Sequence, residues 1–193
     1  MGIGVREVGR AGGAPKGLGC QILAILHRRG LVSGFGGNLS ARIPNAEEMW
    51  ITPSGLYKAE LSPEDVVKVS FSGELLEGAH RPSIEWRFHA AIYRRRPDVG
   101  AVAHTHSPFA TGLGLAGASL KPVTPEASAV LGEVPLLPYA DPGSEELARI
   151  IAENIGVRRA LLLRGHGVVA VGRDLAEAVA VAETVEEIAL TML

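Results

Sequence analysis

Glycine and proline occur along the whole length of this chain: 24 Gly and 12 Pro are spread over 193 residues, with no single Gly- or Pro-rich linker among them. Because both residues interrupt helices and strands, they divide the chain into many short elements. The sequence has no internal repeat of the length that builds a solenoid. This length and this spacing predict a single domain of mixed α and β structure over residues 1–193.

The spacing of apolar residues predicts three helices. One covers residues 18–27. A second covers residues 83–96, with Ser83 as its N-cap and Pro97 after its end. The terminal helix begins after Asp174, which forms a capping box with Glu177. Short apolar runs predict strands at residues 39–43, 49–52, 66–71, 99–105, 160–163 and 168–171, with a capped turn at 62–65. We expect one mixed sheet, antiparallel in part, with helices on both faces.

Charge and composition exclude several function classes. Nineteen basic and 21 acidic residues give a net charge of −2, too little positive charge to bind the phosphates of a nucleic acid. The longest uncharged run, residues 99–120, contains two histidines and four glycines, which favours a buried strand and helix over a membrane span. A single cysteine, Cys20, and a segment 1–13 without the apolar stretch of a secretory signal predict a cytoplasmic protein.

The sharpest chemical signal is His104-Thr105-His106 on a predicted strand. Residues two apart on a strand point to the same face, so both imidazoles can bind one ion. A catalytic zinc site needs a third protein ligand and one open position. His166, which lies between two glycines in a predicted turn, is the best candidate. The alternative is that these histidines only form hydrogen bonds.

Glu85 is the candidate acid/base, since it lies at the start of the helix that leads into the His104 strand. The alternative is that Glu85 has no catalytic role and is favoured at the start of the helix by the helix dipole alone. Two glycine-containing loops, at 34–40 and 52–55, can bind an anion through backbone N–H groups together with Asn and Ser side chains. Neither loop has the Gly-Lys-Ser/Thr of a P-loop, and both also fit ordinary turns.

Taken in order, these motifs resemble the class II aldolase and adducin family, most closely its L-fuculose-1-phosphate aldolase branch. The segments that carry the resemblance cover most of the chain: GNLS at 37–40, ITPSG at 51–55, PSIEWRFH at 82–89, AHTH at 103–106, PYA at 138–140 and GHG at 165–167. The resemblance implies a single three-layer α/β domain. Its central sheet would be mixed and largely antiparallel, and it would lie between helices.

The resemblance also implies a function and a set of site residues. It implies a zinc-dependent aldolase that cleaves a small sugar phosphate to dihydroxyacetone phosphate and an aldehyde through a metal-stabilised enediolate. One Zn²⁺ per subunit would be bound by His104, His106 and His166, with Glu85 as the catalytic acid/base. The implied phosphate site is Asn38, Ser54, Gly55 and Ser83. The implied assembly is a homotetramer, with no nucleic acid or membrane partner.

The chain departs from this family pattern at three places. Phe35 and Ile84 stand where the fuculose aldolases carry hydroxyl residues that bind phosphate, so two donors are missing. The tyrosine that protonates the leaving aldehyde has no counterpart near 121–127, where Glu126 is a candidate replacement. Three alternatives therefore stay open: a sugar-phosphate 4-epimerase, a thiosugar-phosphate dehydratase with the same metal site, and an adducin-like binding module without catalysis.

Overall fold

A computed structural model describes residues 14–192, which form one eight-stranded sheet covered by helices on both faces. Within these residues the helices are α1 (Ala14–Arg28), α2 (Trp86–Arg95), α3 (Pro108–Leu115), α4 (Pro125–Val130), α5 (Glu145–Ile155) and α6 (Leu175–Met192). The strands are β1 (Asn38–Arg42), β2 (Glu48–Ile51), β3 (Val67–Ser70), β4 (Leu75–Glu77), β5 (Ala101–Thr105), β6 (Leu136–Leu137), β7 (Ala160–Leu163) and β8 (Gly167–Gly172). Short 3₁₀ turns lie at Lys58–Glu60 and Pro63–Asp65.

The strand order is β4-β3-β2-β1-β5-β8-β7-β6, and every neighbouring pair is antiparallel except β6 with β7. The predicted mixed, largely antiparallel sheet is therefore confirmed. β5 lies at the centre, paired with β1 on one side and β8 on the other. Asn38 is directly opposite His104 in the β1–β5 register. This register brings two of the predicted site residues together.

The alternation of side chains along the strands creates the two helix-covered faces. On β7, Leu161 and Leu163 pack with α2 and α5, whereas Leu162 packs with α3, α4 and α6. On β5, Val102 belongs to the α2 and α5 face and Ala103 to the opposite face. His104, two residues after Val102, therefore points toward α2. The three-layer architecture is confirmed.

One sequence prediction about α2 is wrong. The helix begins at Trp86 with Glu85 in the N-cap position, so Ser83 is not its cap. The backbone at residues 82–83 is extended instead: Pro82 forms a β-bridge with Pro53, and the Ser83 N–H donates to the Thr52 carbonyl. These contacts with the 52–55 loop delay the start of the helix. The Ser83 hydroxyl accepts a 3.3 Å hydrogen bond from the Glu85 N–H.

The other predicted elements lie close to their expected positions. The capped turn is confirmed, since Ser62 and Asp65 form a capping box. At the start of α6, the Asp174 carboxylate accepts a hydrogen bond from the Glu177 N–H. The Glu177 carboxylate accepts one from the N–H of Arg173, and not from the N–H of Asp174 as a capping box requires. The uncharged run at 99–120 is occupied by β5 and α3.

No helix in the described part of the chain is long and apolar enough to cross a bilayer. Residues 1–13, whose lack of an apolar stretch predicts that no secretory signal is present, lie outside the described residues.

Candidate active site

Three imidazole rings meet at the end of β5. His104 is in β5, His106 follows the strand, and His166 lies in the turn between β7 and β8. The Nε2 atom of His104 is 3.1 Å from Nε2 of His106 and 3.2 Å from Nε2 of His166. Tetrahedral coordination with bonds of roughly 2.0–2.1 Å, the length for zinc and imidazole, separates ligand atoms by about 3.3 Å. The spacing of the rings is thus the spacing that a small metal ion requires.

The protonation of these rings leaves their lone pairs free for a metal. His104 Nδ1 donates to the Val168 carbonyl at 2.9 Å, so the Nε2 atom of this neutral ring carries no proton. Burial, with His106 nearby, lowers the pKa of His104 to about 3. Burial, with His104 nearby, lowers the pKa of His166 to about 4, and burial also lowers the pKa of His106. All three rings are neutral at pH 7.

The carboxylate of Glu85 completes this cluster. Its Oε2 is 3.2 Å from His104 Nε2, and its Oε1 is 3.3 Å from His166 Nε2. Glu85 is only 5% exposed, and its Oε1 has no hydrogen-bond partner among the described residues. His104 Nε2, which carries no proton, and the Glu85 carboxylate oxygens are therefore acceptors that lie together in one cluster. A bound cation would satisfy all of them, and the residues present fit a metal site.

A chain of buried hydrogen bonds holds Glu85 in place. Its carboxylate accepts from Asn38 Nδ2 at 2.9 Å, which leaves Asn38 Oδ1 to accept from His89 Nε2 at 2.5 Å. Burial and nearby His104 hold the pKa of His89 well below its usual value, so its ring is neutral and Nδ1 is an acceptor. The Ser40 hydroxyl therefore donates to His89 Nδ1 at 2.7 Å and accepts from the Tyr93 hydroxyl at 2.7 Å. Every bond in this chain has a defined direction, from Tyr93 to Glu85.

The cluster opens into a cavity of about 230 Å³. Both loops predicted to bind an anion contribute to its wall, through residues 35–38 and Ser54, and Ser83 lines it as well. Gly55 follows Ser54 with a φ of +76° but is not among the lining residues. A larger cavity of about 760 Å³, near Arg42 and Arg173, contains none of the predicted site residues.

The residues that depart from the family pattern lie at the same cavity. Phe35 and Ile84 both line it and are 71% and 59% exposed. Their side chains offer no hydrogen bond to an anion, as the sequence predicts. Glu126 is exposed in the first turn of α4, and within one chain the structure does not bring it to this cavity.

Sequence reasoning missed two residues of this site. The sequence analysis assigns no role to His89, although its position four residues after Glu85 is a usable signal. Lys58, which also lines the cavity, has no distinguishing motif in the sequence.

Comparison with known proteins identifies the family. Residues 19–193 match the family described as Class II Aldolase and Adducin N-terminal domain. The chain belongs to the class II aldolase and adducin family. Its described fold, a mixed eight-stranded sheet between helices, is the fold of this family's solved structures.

Curated members of the class II aldolase and adducin family are similar over most of this chain. The 5-methylthioribulose-1-phosphate/5-deoxyribulose-1-phosphate aldolase of Rhodospirillum rubrum is 43% identical, over 83% of this chain and 72% of that protein. The 3-oxo-tetronate 4-phosphate decarboxylase of Escherichia coli K12 is 38% identical, over 88% of this chain and 81% of that protein. The crystal structure of L-fuculose-1-phosphate aldolase from Thermus thermophilus has a TM-score of 0.81 and 36% identity, covering 90% of each chain. The predicted enzyme class, a lyase of the class II aldolase type, is confirmed.

Proposed function

We propose that this class II aldolase family member is a zinc-dependent aldolase that cleaves a small sugar phosphate to dihydroxyacetone phosphate and an aldehyde. The observation that carries the proposal is the convergence of three neutral imidazoles and the Glu85 carboxylate at one cavity wall. The hydroxyl side chains of Ser54 and Ser83 line the same cavity. A reacting sugar phosphate needs both a metal-binding end and an anion-binding end.

The proposed metal ligands are His104, His106 and His166. A zinc ion bound there would act as a Lewis acid that draws electron density from the substrate carbonyl and so makes the adjacent C–C bond easier to break. His104 is fixed for this role, because its Nδ1–H is held by the Val168 carbonyl. The ring cannot turn without breaking a buried hydrogen bond.

Glu85 is the proposed acid/base. Oxygen Oε2 is anchored by Asn38, whereas Oε1 has no hydrogen-bond partner among the described residues, so Oε1 is the atom that would hold and return the substrate proton. The bond from Asn38 fixes the direction in which Oε1 points. Asn38 thus supports Glu85. Its predicted contact with the phosphate remains part of the proposal, together with Ser54, Gly55 and Ser83.

The test is zinc-dependent exchange of the carbinol proton of dihydroxyacetone phosphate with deuterated water, followed by NMR. This half-reaction can be measured without knowing which aldehyde is the second product. We expect exchange in the zinc-loaded protein and its loss after a chelator removes the metal. Absence of exchange in protein with one zinc per chain would contradict the aldolase proposal.

Decarboxylation is a second candidate, favoured by the 38% identity to the Escherichia coli decarboxylase. Both reactions break a C–C bond near a carbonyl and leave negative charge on carbon, which the same metal and Glu85 could manage. Release of CO₂ from 3-oxo-tetronate 4-phosphate, without cleavage of a sugar phosphate to an aldehyde, would favour the decarboxylase. The 4-epimerase and dehydratase alternatives would give neither result.

The assembly and location belong to the proposal as well. We expect a homotetramer, which light scattering on the purified protein would measure. We expect a cytoplasmic location, in keeping with one buried free cysteine, Cys20. An adducin-like binding module would need no metal. Purified protein without bound metal, after growth in zinc-containing medium, would favour that alternative.

A further inference from the structure

Lys58 is a buried cation at the wall of the candidate active site. Its residue is only 2% exposed, although lysines are almost never fully buried without a partner. It lies in the 3₁₀ turn that follows the 52–55 loop, and it lines the same cavity as Ser54 and Ser83.

The contacts of Lys58 connect the two predicted anion loops. Its backbone N–H donates to the Gly34 carbonyl at 2.8 Å, in the first loop. Its ammonium Nζ donates to the carbonyl of Pro53, next to Ser54 in the second loop. An ammonium group has three N–H donors, and among the described residues the Pro53 carbonyl is the acceptor that the structure gives it.

The charge of Lys58 has no counter-ion within the described chain. No carboxylate of residues 14–192 lies within 4.0 Å of Nζ, whereas Lys16 and Lys68 each pair with a glutamate. Burial lowers the pKa of Lys58 to about 8, which still leaves it mostly protonated at pH 7. Charges buried without a partner are costly, so proteins keep them where a ligand of opposite charge binds.

The rest of the cavity shows where an anion would bind. Glu85 is negative and belongs to the metal-binding end. Phe35 and Ile84, where the family pattern has hydroxyl residues, offer no donor. Ser54 and Ser83 offer neutral hydroxyls, but a phosphate dianion is bound more strongly by a charged donor. Lys58 is the one cation among the residues that line this cavity.

We infer that Lys58 supplies the positive charge of the anion site in this cavity and makes the protein specific for phosphorylated substrates. The inference rests on the proposed function for the identity of the anion, the phosphate of the sugar phosphate. The site combines the ammonium of Lys58 with the hydroxyls of Ser54 and Ser83. One lysine thus compensates for the two donors missing at Phe35 and Ile84.

The first experiment measures binding of inorganic phosphate by calorimetry, which does not depend on catalysis. It compares the wild-type protein with Lys58→Gln, Lys58→Met and the control Lys121→Gln, an exposed lysine outside the cavity. We expect both Lys58 variants to bind phosphate at least tenfold more weakly, because one charge-assisted hydrogen bond is lost. Lys121→Gln should bind as the wild type does. Zinc content should be equal in all four proteins.

Lys58→Gln separates charge from a structural role, because glutamine can still donate to the Pro53 carbonyl. If Lys58 only ties the two loops together, Lys58→Gln keeps wild-type phosphate affinity, and the inference is overturned. Each protein is measured with zinc and after chelation, because phosphate can also bind the metal. A Lys58-dependent loss in either form supports the inference, and equal affinity in both forms overturns it.

The second experiment uses the exchange reaction. Lys58→Gln should raise the KM for dihydroxyacetone phosphate at least tenfold and leave exchange of unphosphorylated dihydroxyacetone unchanged. An equal loss with both compounds would show a general structural role and overturn the inference. If the wild type exchanges neither compound, the proposed function fails, but the phosphate-binding comparison still decides the role of Lys58.

Discussion

The buried ammonium of Lys58 makes the stability of this protein depend on pH in a direction that can be worked out. Burial lowers the pKa of Lys58 from 10.5 to about 8. The folded chain therefore releases this proton at a lower pH than the unfolded chain does. Between these two values the unfolded state binds more protons, so the contribution of Lys58 to the free energy of unfolding rises with pH. Below about pH 8 both states hold the proton, and the full penalty of the buried charge remains.

The size of this contribution follows from the same two values. Each pKa unit corresponds to about 1.36 kcal/mol, so the buried charge costs roughly 3 kcal/mol at neutral pH. About 2 kcal/mol of this penalty is relieved between about pH 7 and pH 9.5. Lys58→Met removes the titrating group and keeps an unbranched side chain in its place. The wild type should therefore gain about 2 kcal/mol of unfolding free energy relative to Lys58→Met over this range.

The assay is urea unfolding of zinc-loaded protein at several pH values in buffer without phosphate. Tyr93, whose pKa burial raises, affects both proteins equally, so the difference between them isolates Lys58. Lys121→Met is the matched control, and its unfolding free energy should stay parallel to that of the wild type. If the unfolding free energies of the wild type and Lys58→Met changed with pH in parallel, the reasoning would be refuted. The ammonium of Lys58 would then not be desolvated, and the inferred anion site would have no buried charge.

Three further predictions concern the metal cluster. His104→Ala should abolish tight zinc binding in metal analysis, and a variant that keeps one zinc per chain would contradict the ligand set. Glu85→Gln should keep its zinc but lose proton exchange, because an amide cannot act as the base; full exchange would remove this role. Gly36→Ala should weaken zinc binding at least tenfold, since its Cβ would clash with the imidazole ring of His106 at Nδ1. The control Gly112→Ala, whose Cβ would meet nothing within 4 Å, should bind zinc normally, and equal affinities in the two alanine variants would count against this packing argument.

Much of the sheet could be predicted because its central strands carry strong local patterns. The strand predicted at 160–163 has the observed bounds of β7, since four apolar residues there are buried on both faces. The helix α5 was not predicted, although Ser144 caps it and its apolar residues recur at helical spacing, so the signal was present. Strand β6 has two residues and pairs parallel with β7. Nothing local to Leu136–Leu137 could reveal that pairing.

The candidate site divides in the same way. His104 and His106 follow from strand alternation, because their convergence is a property of one short segment. The sequence offers His166 and Glu85 as candidates with alternatives open, since both come from distant parts of the chain, and the family resemblance groups them with His104 and His106. The burial of Lys58 could not be predicted, because a lysine between Tyr57 and Ala59 has the local sequence of a surface turn. The burial comes from the packing of this turn against α1 and the loop at Gly34, both distant in the sequence.

The hydrogen-bond chain explains why the core and the site of this protein depend on each other. Tyr93 is 1% exposed in the layer between the sheet and α2, yet its hydroxyl begins the chain that ends at Glu85. Asn38 receives from His89 and donates to Glu85, and its own position is fixed by the pairing of β1 with β5. Each group has one available direction of donation because His89 is neutral. Glu85 is therefore oriented by the packing of α2 on the sheet, and the same packing places His104 next to Glu85.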